Sequence, residues 1–228
     1  MIGQFSICTN GGVIVSCCCP HAKSASRFFS FFAKRYRKRY ARKGFDESQK
    51  QLLEGLRGAG IAGSSLLEIG SGVGYLHQAM LKQGAASATG VDLAPKMIAE
   101  ATAGARENGL ADRTRYIEGD FVQIADRIEP ADITILDKVV CCYPDADGLV
   151  HQSLAHTGRV YALTYPRNRW FLRLGSRLMA AVFWLLRADF RNYIHNPALI
   201  EKWITAEGFG KQYENQTAAW LTQVYVRP

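Results

Sequence analysis

The stretch LLEIGSGVGYL, residues 66–76, contains the pattern that decides the fold. An apolar run ends at Ile69, a turn with glycines at positions 70, 72 and 74 follows, and a helical segment begins near Tyr75. Glycines let the backbone turn tightly and pass close to a ligand. Asp92 ends the next strand-like segment, 18 residues after Gly74. A carboxylate at that place can accept hydrogen bonds from both hydroxyls of a ribose. The two features together predict a nucleoside-containing cofactor.

The residues around the turn discriminate between cofactors. Dinucleotide-binding proteins usually have the pattern G-x-G-x-x-G, with a pyrophosphate at the helix N-terminus. Here Tyr75 stands where the last glycine would be, and Glu68 lies two residues before the first glycine. A carboxylate there would repel a pyrophosphate but suits a cationic ammonium group. S-adenosylmethionine (SAM) has an ammonium, a sulfonium and a ribose, and no phosphate. The stretch therefore favours SAM and disfavours a nicotinamide-dependent oxidoreductase.

Strand-like and helical segments alternate along the chain on both sides of this turn. The strand candidates are SLLEIG, SATGVDL, TRYIEG, ADITILD and RVYALTYP. Such alternation is typical of βαβ units and a mostly parallel sheet. The last two extended segments, GKQYENQTAA and WLTQVYVRP, follow a helix with little chain between them and predict an antiparallel pair at the sheet edge. Upstream, we expect one helix from Ser24 to Gly44 and a second one capped near Asp46 or Ser48.

Four ordered motifs resemble those of class I SAM-dependent methyltransferases. They are E-I-G-S-G-V-G, V-D-L with Asp92, G-D-F with Asp120 and I-L-D with Asp137, and the resemblance covers roughly residues 46–165. It implies an α/β, Rossmann-like fold: a seven-stranded, mostly parallel sheet with an antiparallel C-terminal edge pair, helices on both faces and a helical N-terminal extension. We expect the extension to comprise residues 1–45 and the methyltransferase domain residues 46–228.

The resemblance also implies roles for individual residues. The glycines would line the methionine part of SAM, Glu68 would support the loop or the ammonium, and Asp92 would accept from the ribose hydroxyls. Asp120 would accept from the adenine amino group, and Asp137 would face the methyl group and the substrate. The implied cofactor-binding residues are Glu68, Gly70, Ser71, Gly72, Gly74, Asp92, Leu93, Met97, Asp120, Phe121 and Asp137.

The downstream half is weakly similar to magnesium-protoporphyrin IX O-methyltransferases. The similarity lies in LDKVVCCYPD, residues 136–145, and in RNYIH, residues 191–195. Cysteine replaces the histidine of that family's His-Tyr-Pro, and its acidic, histidine-rich segment is missing, so we do not transfer the porphyrin substrate. The substrate-binding candidates are Cys141, Tyr143, Arg191, Tyr193 and His195, and the catalytic candidates are Asp137, Tyr143 and His195. Because side chains alternate in extended chain, we expect at most one of Cys141 and Cys142 to face the substrate.

The positive charge is concentrated in one segment. The chain has 228 residues and a formal net charge of +8, and residues 23–43 contain nine Lys or Arg and no acid. Aromatic residues recur every four positions there, at Phe28, Phe32, Tyr36 and Tyr40. We expect this aromatic stripe to pack across the active site as a lid helix. For the cations, we favour contact with an anionic membrane over contact with RNA.

A second segment, residues 166–196, has the composition of a substrate-covering helical insert. The run from Leu178 to Leu186 has no polar face, so it packs on the body, covers an apolar substrate or lies in a membrane interface. We favour a large hydrophobic substrate pocket. The reaction we expect is methyl transfer to a small or medium apolar molecule. The alternatives are an RNA or protein methyltransferase that uses the basic segment, and a non-catalytic SAM-binding protein associated with a membrane.

The cysteines predict a reducing compartment rather than a disulfide framework or a metal site. The chain has six cysteines, including the run Cys17-Cys18-Cys19, and no C-x-x-C spacing. Adjacent side chains rarely reach one ion with tetrahedral geometry. We therefore expect no metal and a cytoplasmic protein, peripheral to the inner membrane surface if the basic segment binds lipid. The oligomeric state is left open.

Overall fold

The computed structural model describes residues 8–10, 13–15, 19–185 and 192–228. Two short strands, β1 (Cys8–Asn10) and β2 (Val13–Val15), pair with each other. The main sheet consists of β3 (Ser65–Ile69), β4 (Ser87–Asp92), β5 (Thr114–Glu118), β6 (Ala131–Asp137), β7 (Thr157–Pro166), β8 (Gly210–Gln216) and β9 (Trp220–Val226). Its order is β5-β4-β3-β6-β7-β9-β8, and β9 is antiparallel to both neighbours. The predicted seven-stranded sheet with its antiparallel C-terminal edge pair is confirmed.

The helices surround this sheet. They are α1 (Cys19–Lys43), α2 (Glu47–Gly58), α3 (Tyr75–Lys82), α4 (Pro95–Glu107), α5 (Phe121–Ile124), α6 (Ala146–Ala155), α7 (Trp170–Leu185) and α8 (Pro197–Ala206). Across the described residues, no helix combines the length and the apolar character needed to cross a membrane.

Alternation of side chains along the strands produces two apolar cores. Leu66 and Ile133 point to one face of the sheet, where residues of α2, α3 and α4 cover them. Leu67 and Leu136 point to the other face, under residues of α5, α6 and α8. Successive residues of a strand face opposite sides, so a strand covered on both faces reads as a continuous apolar run. Burial on both faces explains why SLLEIG and ADITILD are mostly apolar.

The sheet topology brings the motifs of three separate segments to one edge. Strand β3 pairs in parallel with β4 on one side and with β6 on the other. The chain order therefore reverses at β3, and ligands of open α/β sheets bind outside the carboxyl ends of the strands at such a switch point. Gly70, Asp92 and Asp137 all stand at these carboxyl ends.

The N-terminal helices begin differently from each other. Helix α1 begins at Cys19, five residues before the expected Ser24, because Pro20 fits the first helical turn, where no backbone N–H is needed. Helix α2 begins after Asp46, as predicted. The Asp46 side chain accepts from the Gln49 backbone N–H at 3.1 Å, and the Gln49 side chain accepts from the Asp46 N–H at 3.2 Å. This reciprocal pair is a capping box.

Candidate functional site

The glycine loop between β3 and α3 is held in a left-handed backbone conformation. Gly70 has φ of 67° and Gly72 has φ of 53°. A Cβ atom at Gly70 would overlap a methyl group of Val139, whereas a Cβ atom at Gly72 would meet nothing within 4 Å. Gly70 therefore allows the loop to pack against the chain after β6. Gly72 leaves open space beside the loop.

Asp92 is tied to this loop. One carboxylate oxygen accepts from the Gly72 N–H at 2.8 Å, and the other accepts from the Ala94 N–H at 2.8 Å. Burial raises the pKa of Asp92 to about 6, although these two backbone hydrogen bonds act in the opposite direction. The carboxylate lines the cavity described below and retains lone pairs for further donors.

Glu68 is held by a hydrogen-bonded chain behind the loop. His77 Nδ1 donates to Glu68 Oε2 at 2.5 Å, and the His77 backbone N–H lies 3.3 Å from the same oxygen. With the proton on Nδ1, His77 Nε2 accepts from the Tyr116 hydroxyl at 2.8 Å. Glu68 also lines the cavity, but its principal contact joins the end of β3 to the first turn of α3. Sequence reasoning did not single out His77 or Tyr116.

The residues predicted around the adenine separate into two groups. Leu93 and Met97 line the cavity. Asp120 and Phe121 are absent from the cavity lining in the part of the chain that the structure describes. Asp120 caps α5 through the Val122 N–H at 3.2 Å and accepts from a tyrosine hydroxyl, while Phe121 packs into the core beneath the sheet.

Asp137 lies at the carboxyl end of β6, in the wall of the cavity. Its Oδ2 accepts from Gln49 Nε2 at 2.9 Å, and its Oδ1 is buried without a hydrogen-bond partner among the described residues. Burial raises the pKa of Asp137, and the neighbouring Lys138 ammonium opposes this rise. The Lys138 backbone has φ of 62°, and its ammonium donates to Asp46 at 2.6 Å.

Both cysteines of the segment after β6 line the cavity, so the prediction that at most one would do so is wrong. Residues Val140–Cys142 form a 3₁₀ turn rather than extended chain. The thiols of Cys141 and Cys142 lie 3.8 Å apart, and both contact the Lys138 carbonyl oxygen. The hydrogen bond with Cys142 and burial raise the pKa of the Cys141 thiol. An elevated pKa favours the neutral thiol, which behaves as a small apolar residue.

Tyr143 lines the cavity, but its hydroxyl points elsewhere. It donates to the Asp120 carboxylate, with distances of 3.0 and 3.2 Å to the two oxygens. His195 Nε2 donates to the Tyr143 carbonyl at 3.1 Å, and burial lowers the pKa of His195. The Tyr193 N–H donates to the Cys141 carbonyl at 2.7 Å. Neither Tyr193 nor His195 is among the described lining residues; both brace the 141–143 segment instead.

Some predicted residues lie outside the described residues. Arg191 is one of them, as are Cys17 and Cys18 of the cysteine run. The described part of the insert, residues 166–185 and 192–196, supplies four lining residues: Pro166, the α7 residues Met179 and Phe183, and Asn192.

Three of the four residues of the predicted aromatic stripe of α1 pack across the site, whereas Phe32 is absent from the described lining. Phe28, Tyr36 and Tyr40 line the cavity, and the Tyr40 ring stacks on Tyr75 with a centroid distance of 3.7 Å. Two ion pairs join Arg37 of α1 to α4: Arg37–Glu100 at 2.9 Å and Arg37–Glu107 at 2.6 Å. Helix α1 thus forms one wall of the site.

These elements enclose a cavity of about 670 Å³. One part is lined by the glycine loop, Asp92 and Met97, and another by aromatic residues of α1 and α7 together with Asp137 and the two cysteines. Sites for small molecules commonly have volumes of roughly 300–1,000 Å³ and few polar groups in an apolar lining. The cavity therefore has the size and the lining of a small-molecule site.

Comparison with known proteins agrees with this architecture. Residues 66–159 match the family model described as a methyltransferase domain. The ubiquinone biosynthesis O-methyltransferase of Pseudomonas aeruginosa (strain LESB58) is 29% identical over 157 residues, which are 66% of each chain. The ribosomal protein L11 methyltransferase of Mannheimia succiniciproducens is 41% identical over 69 residues, which are 30% of this chain and 24% of the relative. The chain matches about a quarter of the length of the first curated relatives.

Among solved structures, magnesium protoporphyrin IX methyltransferase from Synechocystis PCC 6803 with bound S-adenosylhomocysteine (SAH) has a TM-score of 0.68. The two proteins are 21% identical, and the alignment covers 90% of this chain and 98% of the other. At this identity the likeness concerns the fold. Residues 66–159 are thus similar to a methyltransferase domain, and the sheet has the strand arrangement expected from the resemblance to class I SAM-dependent methyltransferases.

Proposed function

We propose that this chain is a SAM-dependent methyltransferase whose acceptor is a small or medium apolar molecule. The observation that carries the proposal is the single cavity in which the glycine loop and Asp92 share walls with aromatic residues. The relative that matches 66% of both chains is named for O-methyl transfer, whereas the protein methyltransferase matches 30% of this chain. This difference favours a small acceptor with a hydroxyl group over an RNA or protein substrate.

The residues present fit the cofactor. Asp92 offers acceptor lone pairs for the ribose hydroxyls, the space beside Gly72 admits a ligand, and Leu93 and Met97 form an apolar wall for the adenine. Ser71 Oγ is buried in the same wall without a hydrogen-bond partner among the described residues, and a ligand polar group would satisfy it. SAM, when bound, supplies a methyl group already activated by the sulfonium.

On the acceptor side, Asp137 suits the role of proton acceptor. Its Oδ1 lies in the cavity wall without a partner among the described residues, and burial favours the protonated form, so the carboxylate is a stronger base than an exposed aspartate. Gln49 holds the other oxygen and thereby fixes the carboxylate. The aromatic residues of α1 exclude water, and the thiols of Cys141 and Cys142 form an apolar wall.

The other two catalytic candidates suit positioning roles better. The Tyr143 hydroxyl is committed to Asp120, and His195 Nε2 is committed to the Tyr143 carbonyl. Together they hold the 141–143 segment, and Tyr143 offers its ring to the substrate. A role of Asp120 in adenine binding requires the Tyr143–Asp120 hydrogen bond to be shared with the ligand.

We also propose a cytoplasmic location and contact of residues 23–43 with an anionic membrane surface. Lys34, Arg35 and Lys38 of α1 are exposed and lie outside the described cavity lining, which supports the membrane contact. The spacing of the six cysteines, which does not resemble a disulfide framework, supports a reducing compartment.

Calorimetry with SAM, SAH and NADH tests the cofactor assignment. SAM and SAH should bind, and Asp92→Ala should weaken both by about 10- to 100-fold, because hydrogen bonds to a charged group contribute about 1.5–3 kcal/mol. Binding of NADH in place of SAM would overturn the assignment. Release of SAH with a panel of hydroxylated aromatic acceptors tests turnover. SAM binding without turnover on this panel would favour the non-catalytic alternative.

A further inference from the structure

Helix α7 presents an apolar face that the rest of the described chain does not cover. Trp170, Leu174 and Leu178 recur every four residues and are 74%, 49% and 61% exposed. The spacing places them on one face of the helix. Leu172 and Phe183 are half-buried on the side that faces the body. An exposed apolar row of this kind typically marks an interaction site.

The charge around this face is entirely positive. Residues 167–185 contain four arginines and no acidic residue. Arg173 and Arg177 are exposed on α7, next to the apolar row. A helix with an exposed apolar face and flanking cations suits the interface of an anionic bilayer, where the apolar side chains enter the acyl boundary and the cations meet the headgroups.

Helix α1 has a cationic face of its own. Lys34, Arg35 and Lys38 are exposed, and helical periodicity places them on the same side as Phe31, which is 80% exposed. None of these three cations forms an ion pair with another residue that the structure describes. Arg37, by contrast, faces α4 and is paired with two glutamates. The three exposed cations are thus available to an external anionic partner.

Aromatic contacts join α1 to the body-facing side of α7. The Phe31 ring contacts Phe32, Phe32 contacts Phe28, and Phe28 contacts Phe183 of α7, with centroid distances of 5.0, 5.0 and 5.7 Å. Met179 is 49% exposed and also lines the cavity. The exposed surface of α7 therefore reaches the wall of the site at Met179.

We propose that α7 and the exposed face of α1 form a docking surface for an anionic lipid bilayer, with the cavity opening beside the membrane. The row of α7 and Phe31 enters the bilayer interface, and the cations of α1 contact the headgroups. Charge complementarity selects this occupant, because a protein partner or a second copy of this chain would have to supply acidic groups against the cations of both helices. The membrane contact of the proposed function rests on α1 alone; this inference adds α7 as the inserted element.

Flotation of the full-length protein with vesicles tests the surface. The vesicles contain phosphatidylcholine with or without phosphatidylglycerol. We expect binding to the anionic vesicles, weakened by salt. Lys34→Gln, Arg35→Gln and Lys38→Gln combined should weaken binding about 100-fold, because each cation near an anionic surface contributes roughly fivefold. The matched control combines Lys96→Gln, Arg115→Gln and Lys202→Gln, three exposed cations elsewhere, and should bind as the wild type does.

The apolar row has its own matched control. Leu174→Ser with Leu178→Ser should weaken vesicle binding about tenfold or more, because burial of each leucine is lost. Leu199→Ser removes a leucine of α8 that is 47% exposed and should have no effect. Equal weakening by test and control variants, or no binding to anionic vesicles at low salt, overturns the proposal. Light scattering could instead show a dimer that dissociates in the leucine variant, with no binding to vesicles. That result would assign the exposed face of α7 to self-association.

SAH calorimetry on the same variants separates this inference from the proposed function. Wild-type SAH affinity in the surface variants shows that their fold is intact. A chain that binds anionic vesicles but not SAH would refute the methyltransferase proposal and leave the docking surface standing.

Discussion

Lowering the pH through about 6 should weaken SAH binding, because Asp92 must be ionised to accept two ribose hydroxyls. Burial raises the pKa of Asp92 to about 6 in the unliganded protein. Hydroxyl donors favour the ionised form, so binding lowers this pKa and releases a proton. Below the pKa of the unliganded protein, the ionised fraction of Asp92 falls about tenfold for each pH unit. Each tenfold decrease weakens SAH binding by about 1.4 kcal/mol.

The affinity for SAH should therefore fall about tenfold from about pH 7 to about pH 5. Isothermal titration calorimetry in two buffers of different ionisation enthalpy measures both the affinity and the released proton. Asp92→Asn should bind SAH more weakly at neutral pH and show no such pH dependence. Asp137→Asn is the matched control, because it removes another buried carboxylate of the cavity while Asp92 keeps its two backbone donors. An SAH affinity that does not change with pH, or an unchanged pH slope in Asp92→Asn, refutes the reasoning.

The raised pKa of Asp92 also makes the stability of the unliganded protein depend on pH. The folded pKa of Asp92 is raised from an ordinary value of 3.8. The contribution of this group to stability is therefore fully present below about pH 3.8 and is lost as the pH rises through about 6. The loss is at most about 3 kcal/mol, since a difference of one between the folded and unfolded pKa corresponds to about 1.4 kcal/mol. Chemical denaturation of the unliganded protein at several pH values should show this decline in the wild type and a smaller one in Asp92→Asn.

Four further substitutions test the site. Gly70→Ala should lower the free energy of unfolding by about 1–3 kcal/mol more than Gly109→Ala does in urea denaturation. Both positions have φ of 67°, but an added Cβ atom overlaps a neighbouring side chain only at Gly70. Equal losses of stability in the two variants would contradict this. Asp137→Asn should lower turnover more than tenfold and leave the SAM affinity unchanged, because a positioned base typically accelerates a reaction by a factor of about 10²–10⁴. Retained turnover in SAH-release assays would show that Asp137 does not accept the proton. Cys141→Ser and Cys142→Ser, made singly, should each keep most turnover, whereas loss in either one alone would assign that thiol a direct role.

The fold was predictable because its signals are local. Strands β3, β6 and β7 are short apolar runs bounded by glycine, proline or polar residues, and the strands of the sheet lie where the sequence predicts them. The turn that begins at Gly70 and the position of Asp92 at the end of β4 are local features too. In the structure the glycine loop and Asp92 lie side by side, as the motif predicts. The capping box after Asp46 is likewise set by residues three positions apart.

Contacts across the chain were not predictable in the same way. Gln49 donates to Asp137 over 88 positions of sequence, and nothing in the capping pattern of α2 indicates this second role. Glu68 and His77 are closer, nine positions apart, but an amphipathic helix explains the histidine equally well. Both thiols line the cavity because Val140–Cys142 form a 3₁₀ turn. The apolar sequence of this segment fits a 3₁₀ turn and extended chain equally well.

The sequence by itself determined the class of fold, the edge of the sheet that carries the site and the cofactor that suits it. Only the tertiary structure decided which polar groups are already satisfied within the protein and which are open to a ligand. Asp120 is satisfied by Tyr143, whereas Ser71 Oγ and Asp137 Oδ1 have no partner among the described residues. The physical reason is that secondary structure follows from neighbours in sequence, while hydrogen bonding in a site depends on distant segments that only packing brings together.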